Sequence, residues 1–134
     1  MHDCGFTREN HWFRYRAAAI IVENGCVLLA GNENEDYLYS VGGGVHMGET
    51  AEAAVLREVL EETGVQYEID HLAVIHENFF NENSGTLKGL DCHEISGMIK
   101  GLLMKQIRGG ARTDPFLAEK LRRSGVDEAF IKLA

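Results

Sequence analysis

The 134-residue chain has one proline, Pro115, one tryptophan, Trp12, and three cysteines, Cys4, Cys26 and Cys92. With so little proline, its turns must rest on glycine. The cysteines are odd in number and none is spaced C-x-x-C, which indicates neither a disulfide framework nor a zinc site. No apolar run approaches the roughly 20 residues of a membrane span; the longest is Ala17 to Val22. The first ten residues lack the apolar stretch of a secretory signal. By elimination, the expected location is cytoplasmic, with no membrane partner. Basic residues are also scarce: 13 Lys and Arg face 21 Asp and Glu, a net charge of −8. That balance excludes an extended basic face for nucleic acid.

What is present fits one domain, residues 1–134, with 45% hydrophobic residues for a single core. The charge is unevenly spread. Residues 1–96 hold 5 basic and 17 acidic residues, whereas residues 97–134 hold 8 and 4.

Alternation and turn signals predict two strands between Phe13 and Ala30, joined at Glu23-Asn24-Gly25, where Asn-Gly is a strong hairpin signal. Tyr37 to Val41 is a short β-prone piece that leads into a glycine-rich loop, Gly42-Gly43-Gly44. Thr50 to Thr63 reads as a helix, with Thr50 as N-cap and Gly64 as the stop. Its apolar arc is Val55, Leu56, Val59 and Leu60, and Glu58, Glu61 and Glu62 fall together on the other side. Tyr67 to Phe80 reads as β-prone, with Ile69, Leu72, Val74 and Ile75 as core candidates, and Asn81 to Asp91 as a loop. Cys92 to Lys105 should hold a strand interrupted by Gly97 and Gly101. Gln106 to Asp114 reads as a loop, Phe116 to Arg123 as a helix and Asp127 to Leu133 as a second short one.

Three carboxylates on one helix face repel one another, and Arg57 is the only basic residue in the helix. A solvated acidic face is the bland reading of such a run. The nearby glycines favour a different one, because glycine lets backbone approach a ligand closely. Carboxylates on a rigid helix, with a backbone carbonyl, suit a hard divalent cation such as Mg²⁺.

Gly43, five residues, Glu49, seven residues and then Arg57-Glu58-Val59-Leu60-Glu61-Glu62-Thr63-Gly64-Val65 matches the Nudix box at all nine defined positions. The chain therefore resembles the Nudix hydrolases, convincingly from about Phe13 to Phe80. The resemblance implies an α/β/α sandwich with a mixed sheet. It also implies hydrolysis of a nucleoside diphosphate linked to another moiety, with Mg²⁺ or Mn²⁺ as cofactor. Glu58 and Glu62 are then the principal metal ligands, Glu61 a further one, and the Gly43 carbonyl a ligand from the loop. Glu49 and Arg57 form a supporting ion pair, and Gly64 is the turn after the helix. The general base is open among Glu61, Glu58 and a later acid, with Glu94 and Asp91 the nearest. Arg14 and Arg16 are candidate contacts to phosphate or sugar, with solvated strand-edge charges as the competing reading. For Trp12, Tyr15, Tyr37, Tyr39, Phe79 and Phe80, core packing competes with stacking on a base.

Beyond Ile95 the sequence departs from the family pattern, and about one strand and its loops are missing or remodelled. A natural shortening, a homodimer that supplies the missing surface and an altered reading of the coding sequence all fit. The competing function is a non-hydrolytic nucleotide-binding or regulatory Nudix-like module. Retention of all three repelling carboxylates weighs against it.

Overall fold

The computed structural model describes residues 2–23, 25–31, 38–104 and 130–132. Strands β1 (Gly5–Arg8), β2 (His11–Glu23), β3 (Cys26–Ala30), β4 (Tyr39–Ser40) and β5 (Gly42–Gly44) precede helix α1 (Ala51–Thr63). Strands β6 (Tyr67–Asn81), β7 (Asp91–Leu103) and β8 (Phe130–Lys132) follow it. All eight join one mixed sheet, whose path runs β4-β3-β2-β7-β6. Strand β2 organises it: β7 pairs parallel along one side, and β1, β5 and β3 pair antiparallel along the other.

The β2–β3 hairpin forms where the Asn-Gly signal predicts it, with Glu23 opposite Cys26 and Gly25 at φ 76°. The helix also forms as its caps dictate. The Thr50 side chain accepts from the Ala53 N–H, and Gly64 takes the left-handed conformation at φ 72° that closes the last turn. Val55 and Val59 are fully buried against Ala17, Ala19 and Ile21 of β2. Burial of each valine contributes about 1.5–3 kcal/mol.

Five expectations are corrected, the last of them at residues 130–132. Gly42-Gly43-Gly44 is a strand rather than a loop, in register with Ala18, Ala17 and Arg16. Strand β7 runs unbroken through Gly97 and Gly101, because β6 and β2 flank it along its length. Leu56 and Leu60 are exposed, since the sheet covers only the Ala54, Val55 and Val59 side of the helix. Leu72, Val74 and Ile75 are exposed as well, because no layer among the described residues covers that part of β6, while Ile69 packs against the core.

Strand β1, which the composition does not announce, forms by hairpin pairing with β2. Residues 130–132 form a strand on β3, where the sequence predicts a helix. The loop at 106–114 and the helix at 116–123 lie outside the described residues. Cys4 and Cys92 are free thiols. Among the described residues, no helix is long and apolar enough to cross a membrane.

Candidate active site

The turn between β5 and α1 places Glu49 beneath the helix, where Arg57 reaches it. Arg57 Nε donates to Glu49 Oε2 and Nη2 to Oε1, both at 2.9 Å. The same guanidinium donates to the Gly44 carbonyl at 3.1 Å and to Glu58 Oε1 at 2.7 Å. These bonds hold the Glu49 carboxyl down at about 2 and raise the Arg57 pKa. The expected pair therefore forms, and it ties β5, the turn and the helix together.

Glu58 and Glu62, one helical turn apart, flank the β5 backbone. The Glu58 carboxylate lies so close to Gly43 that a Cβ there would stand 2.6 Å from its Cδ. Glu62 Oε2 accepts from the Gly42 N–H at 3.1 Å. Burial, and then the Glu58 charge, push the Glu62 carboxyl up to about 7. Glu61 stands apart, 57% exposed, with Arg57 Nη1 at 3.5 Å. Among the described residues, no three His, Cys, Asp or Glu side chains converge closely enough to hold a metal ion. The arrangement is a carboxylate pair with a close backbone, plus a third carboxylate at the rim.

Arg14 and Arg16 project from one face of β2, and neither is a solvated edge charge. Arg14 donates through Nε (2.9 Å) and Nη2 (2.5 Å) to Oε2 of Glu94, its register partner on β7, and lies over the Trp12 ring at 5.3 Å. Arg16 is 9% exposed and donates to the Ser40 carbonyl. Its pKa is lowered, first by burial, an effect that Glu94, Glu62 and Glu58 oppose. Glu94 thus sits on the sheet, engaged by an arginine, and Asp91 bonds Asn10 and Asn81 at the strand end.

Arg14, Arg16 and Glu94 line a cavity of about 780 Å³, with Trp12, Glu62, Asn78 and Phe80 among its other walls. Its size is in the range of small-molecule sites, about 300–1,000 Å³. Asn78 escapes sequence reasoning, because only its β6–β7 register places it opposite Glu94.

Comparison with known proteins agrees with this geometry. The family model for the NUDIX domain matches residues 13–114. The chain belongs to the Nudix family. Membership supports cleavage of a pyrophosphate bond as the general chemistry. No curated protein matches the sequence significantly.

Solved structures share the fold at low identity. The MutT Nudix hydrolase of Burkholderia pseudomallei aligns with a TM-score of 0.58 and 24% identity over 72% of each chain. The Nudix hydrolase of Nitrosomonas europaea aligns at 0.52 and 22%, over 90% of this chain and 70% of that one. The dihydroneopterin triphosphate pyrophosphohydrolase of E. coli aligns at 0.56 and 16%, over 83% and 95%.

Proposed function

We propose that the protein hydrolyses a nucleoside diphosphate linked to another moiety, by water attack on phosphorus with a divalent cation bound. The observation that carries this reading is the Glu58–Glu62 pair against the backbone of Gly42 and Gly43, beside a cavity lined by Arg14 and Arg16. The donors are hard oxygens, as Mg²⁺ or Mn²⁺ prefers. A dication there would offset the burial and the Glu58 repulsion that raise Glu62. The residues present fit the ion as a carboxylate pair beside a backbone oxygen: Glu58, Glu62 and the Gly43 carbonyl would hold it, and Glu61, at the rim, would reach it through water. When bound, the cation neutralises phosphate oxygens and acidifies a water.

The chain's own residues supply the rest. Arg16, fixed by the Ser40 carbonyl, presents positive charge to the phosphates. Glu61, exposed at the rim, accepts the proton of the attacking water, and the anhydride P–O bond breaks to leave two phosphate products. Glu94 is a poorer base, because Arg14 holds one of its oxygens twice. Small nucleotide derivatives are the substrates this reading calls for.

The test is turnover of a nucleotide panel with Mg²⁺ or Mn²⁺, with and without Glu61→Gln and Glu62→Gln. Each variant should lose roughly 10²–10⁴-fold in kcat. Absence of turnover, with metal-dependent nucleotide binding intact, would establish a binding module instead.

A further inference from the structure

Three strands stack the cavity wall in rows. Across β2, β7 and β6 the register sets Trp12, Cys92 and Phe80 in one row, Arg14, Glu94 and Asn78 in the next, and Arg16, Ser96 and His76 in the third. Side chains in register share a face of the sheet. The first row is aromatic: the Trp12 and Phe80 rings meet across the small Cys92 side chain, with centroids 6.2 Å apart and planes at 65°. The third carries Arg16 on the side of Glu62. A molecule lying along the wall would therefore place a planar apolar group at the first row and phosphates at the third. The second row would read the edge of the planar group.

That row has a definite hydrogen-bonding code. Both Arg14 bonds fall on Glu94 Oε2, and Oε1 has no hydrogen-bond partner among the described residues. A carboxylate only accepts hydrogen bonds. Asn78, directly opposite, is exposed and carries an amide that donates and accepts. Cross-strand neighbours stand about 5 Å apart at Cβ, and both side chains line the cavity.

We infer that this wall selects a nucleobase with a lactam edge, whose ring N–H donates to Glu94 Oε1 while the adjacent carbonyl accepts from the Asn78 amide. The inference rests on the reading of this cavity as the substrate side of the hydrolase, and it names the base. Guanine, hypoxanthine and uracil present that edge. Adenine and cytosine present a ring-nitrogen lone pair beside an amino group. The Asn78 amide can turn to accept from an amino group, but the carboxylate cannot turn into a donor. A lone pair facing Glu94 leaves two acceptors opposed, a mismatch that discriminates between the bases. The carboxylate therefore decides the preference. Trp12 and Phe80 supply stacking area that is indifferent to base identity.

Trp12 is the only tryptophan of the chain, so its indole N–H gives a single resonance that reports on this wall. Inosine and adenosine differ at the edge in question, as do uridine and cytidine. Each nucleoside, free of phosphate, is titrated into the full chain without metal, and the indole shift is followed. Inosine should bind about tenfold more tightly than adenosine, and uridine than cytidine. The inosine–uridine comparison separates a purine pocket from a pyrimidine one.

Glu94→Gln, which can donate, should bring the two members of each pair within about twofold. Asn78→Ala, at an exposed position, should weaken both members of each pair and leave the preference between them in place. Equal affinity within both pairs, or a preference that survives Glu94→Gln, overturns the assignment, as does an indole resonance that no nucleoside moves. The hydrolase reading is judged separately by turnover: cleavage without base preference retains it and removes this inference, and selective binding without cleavage does the reverse.

Discussion

Arg57 grips both oxygens of Glu49, Nε on Oε2 and Nη2 on Oε1, each at 2.9 Å, and with the rest of its fork it holds Gly44 and Glu58. One guanidinium thus fixes the turn, the strand and the helix that together carry the carboxylates. Removal of Glu49 takes two charge-assisted bonds from a half-buried cation, so Glu49→Ala should cost about 2–3 kcal/mol by denaturant unfolding. Lysine cannot span both oxygens, so Arg57→Lys should be nearly as destabilising.

The pH dependence follows from Glu49, whose folded pKa of about 2 lies below its ordinary 4.5. Its contribution is complete above about 4.5 and is lost as pH falls toward 2. The stability gap between wild type and Glu49→Ala should close over that interval. A gap that is constant from pH 7 to pH 2.5 would refute the pairing.

Gly43 leaves room for the Glu58 carboxylate. Alanine there would press on the far end of a flexible side chain rather than on backbone, so Gly43→Ala should fold with a stability change of about 1 kcal/mol or less. The displaced carboxylate should lower Mn²⁺ affinity by roughly tenfold or more by calorimetric titration. In the Glu58→Gln background the same change should do little more, because both substitutions remove one ligand. Full additivity would mean that Gly43 acts through something other than Glu58.

Glu62 has the opposite sign from Glu49. Its folded pKa of about 7 lies above the ordinary 4.5, so the folded protein keeps a proton that the unfolded chain releases between those values. Stability without metal should therefore decline as pH rises from about 4.5 through 7, then level off. Glu62→Gln carries no titrating proton and should be more stable than wild type at pH 8 by about 1–2 kcal/mol, with little difference at pH 4.5. Thermal unfolding in chelator at the two pH values measures this. The stabilised variant should be catalytically poor, the usual price of a functional carboxylate pair.

Most of the carboxylate site was legible in the sequence, because its geometry is local. Thr50 and Gly64 bound the helix, a 3.6-residue period sets the faces, and Glu49 and Arg57 are only eight positions apart. The cavity wall was not. Arg14, Glu94 and Asn78 come from three strands and meet only through register. The exposure of Leu72 and Ile75 was illegible for a related reason, since alternation shows that a strand is amphipathic but not whether a layer covers it. Glycines misled in both directions. Gly42 to Gly44 looked like a loop and forms a strand, and Gly97 and Gly101 looked like breaks in a strand that has none.

The two glycines of β7 are present for different reasons, and substitution separates them. At Gly101 a Cβ would meet the Glu68 carbonyl oxygen, which is backbone, and the Tyr67 ring at 2.6 Å. That ring is buried, and its hydroxyl donates to the Ile99 carbonyl at 2.8 Å, so it has little freedom to retreat. The missing side chain is the space in which Tyr67 crosses the strand, and the aromatic covers backbone that glycine leaves bare. Gly101→Ala should therefore cost about 3 kcal/mol by overpacking. At Gly97 the nearest neighbours of a Cβ are Ala51 and Leu72 side-chain atoms, both at the ordinary contact distance of 3.9 Å. Alanine fits there, and it removes the entropy that glycine loses on folding. Gly97→Ala should be neutral or stabilising by up to about 1 kcal/mol. Urea unfolding of the two variants side by side checks the pair, and equal destabilisation would show that β7 tolerates neither side chain, contrary to the space seen at Gly97.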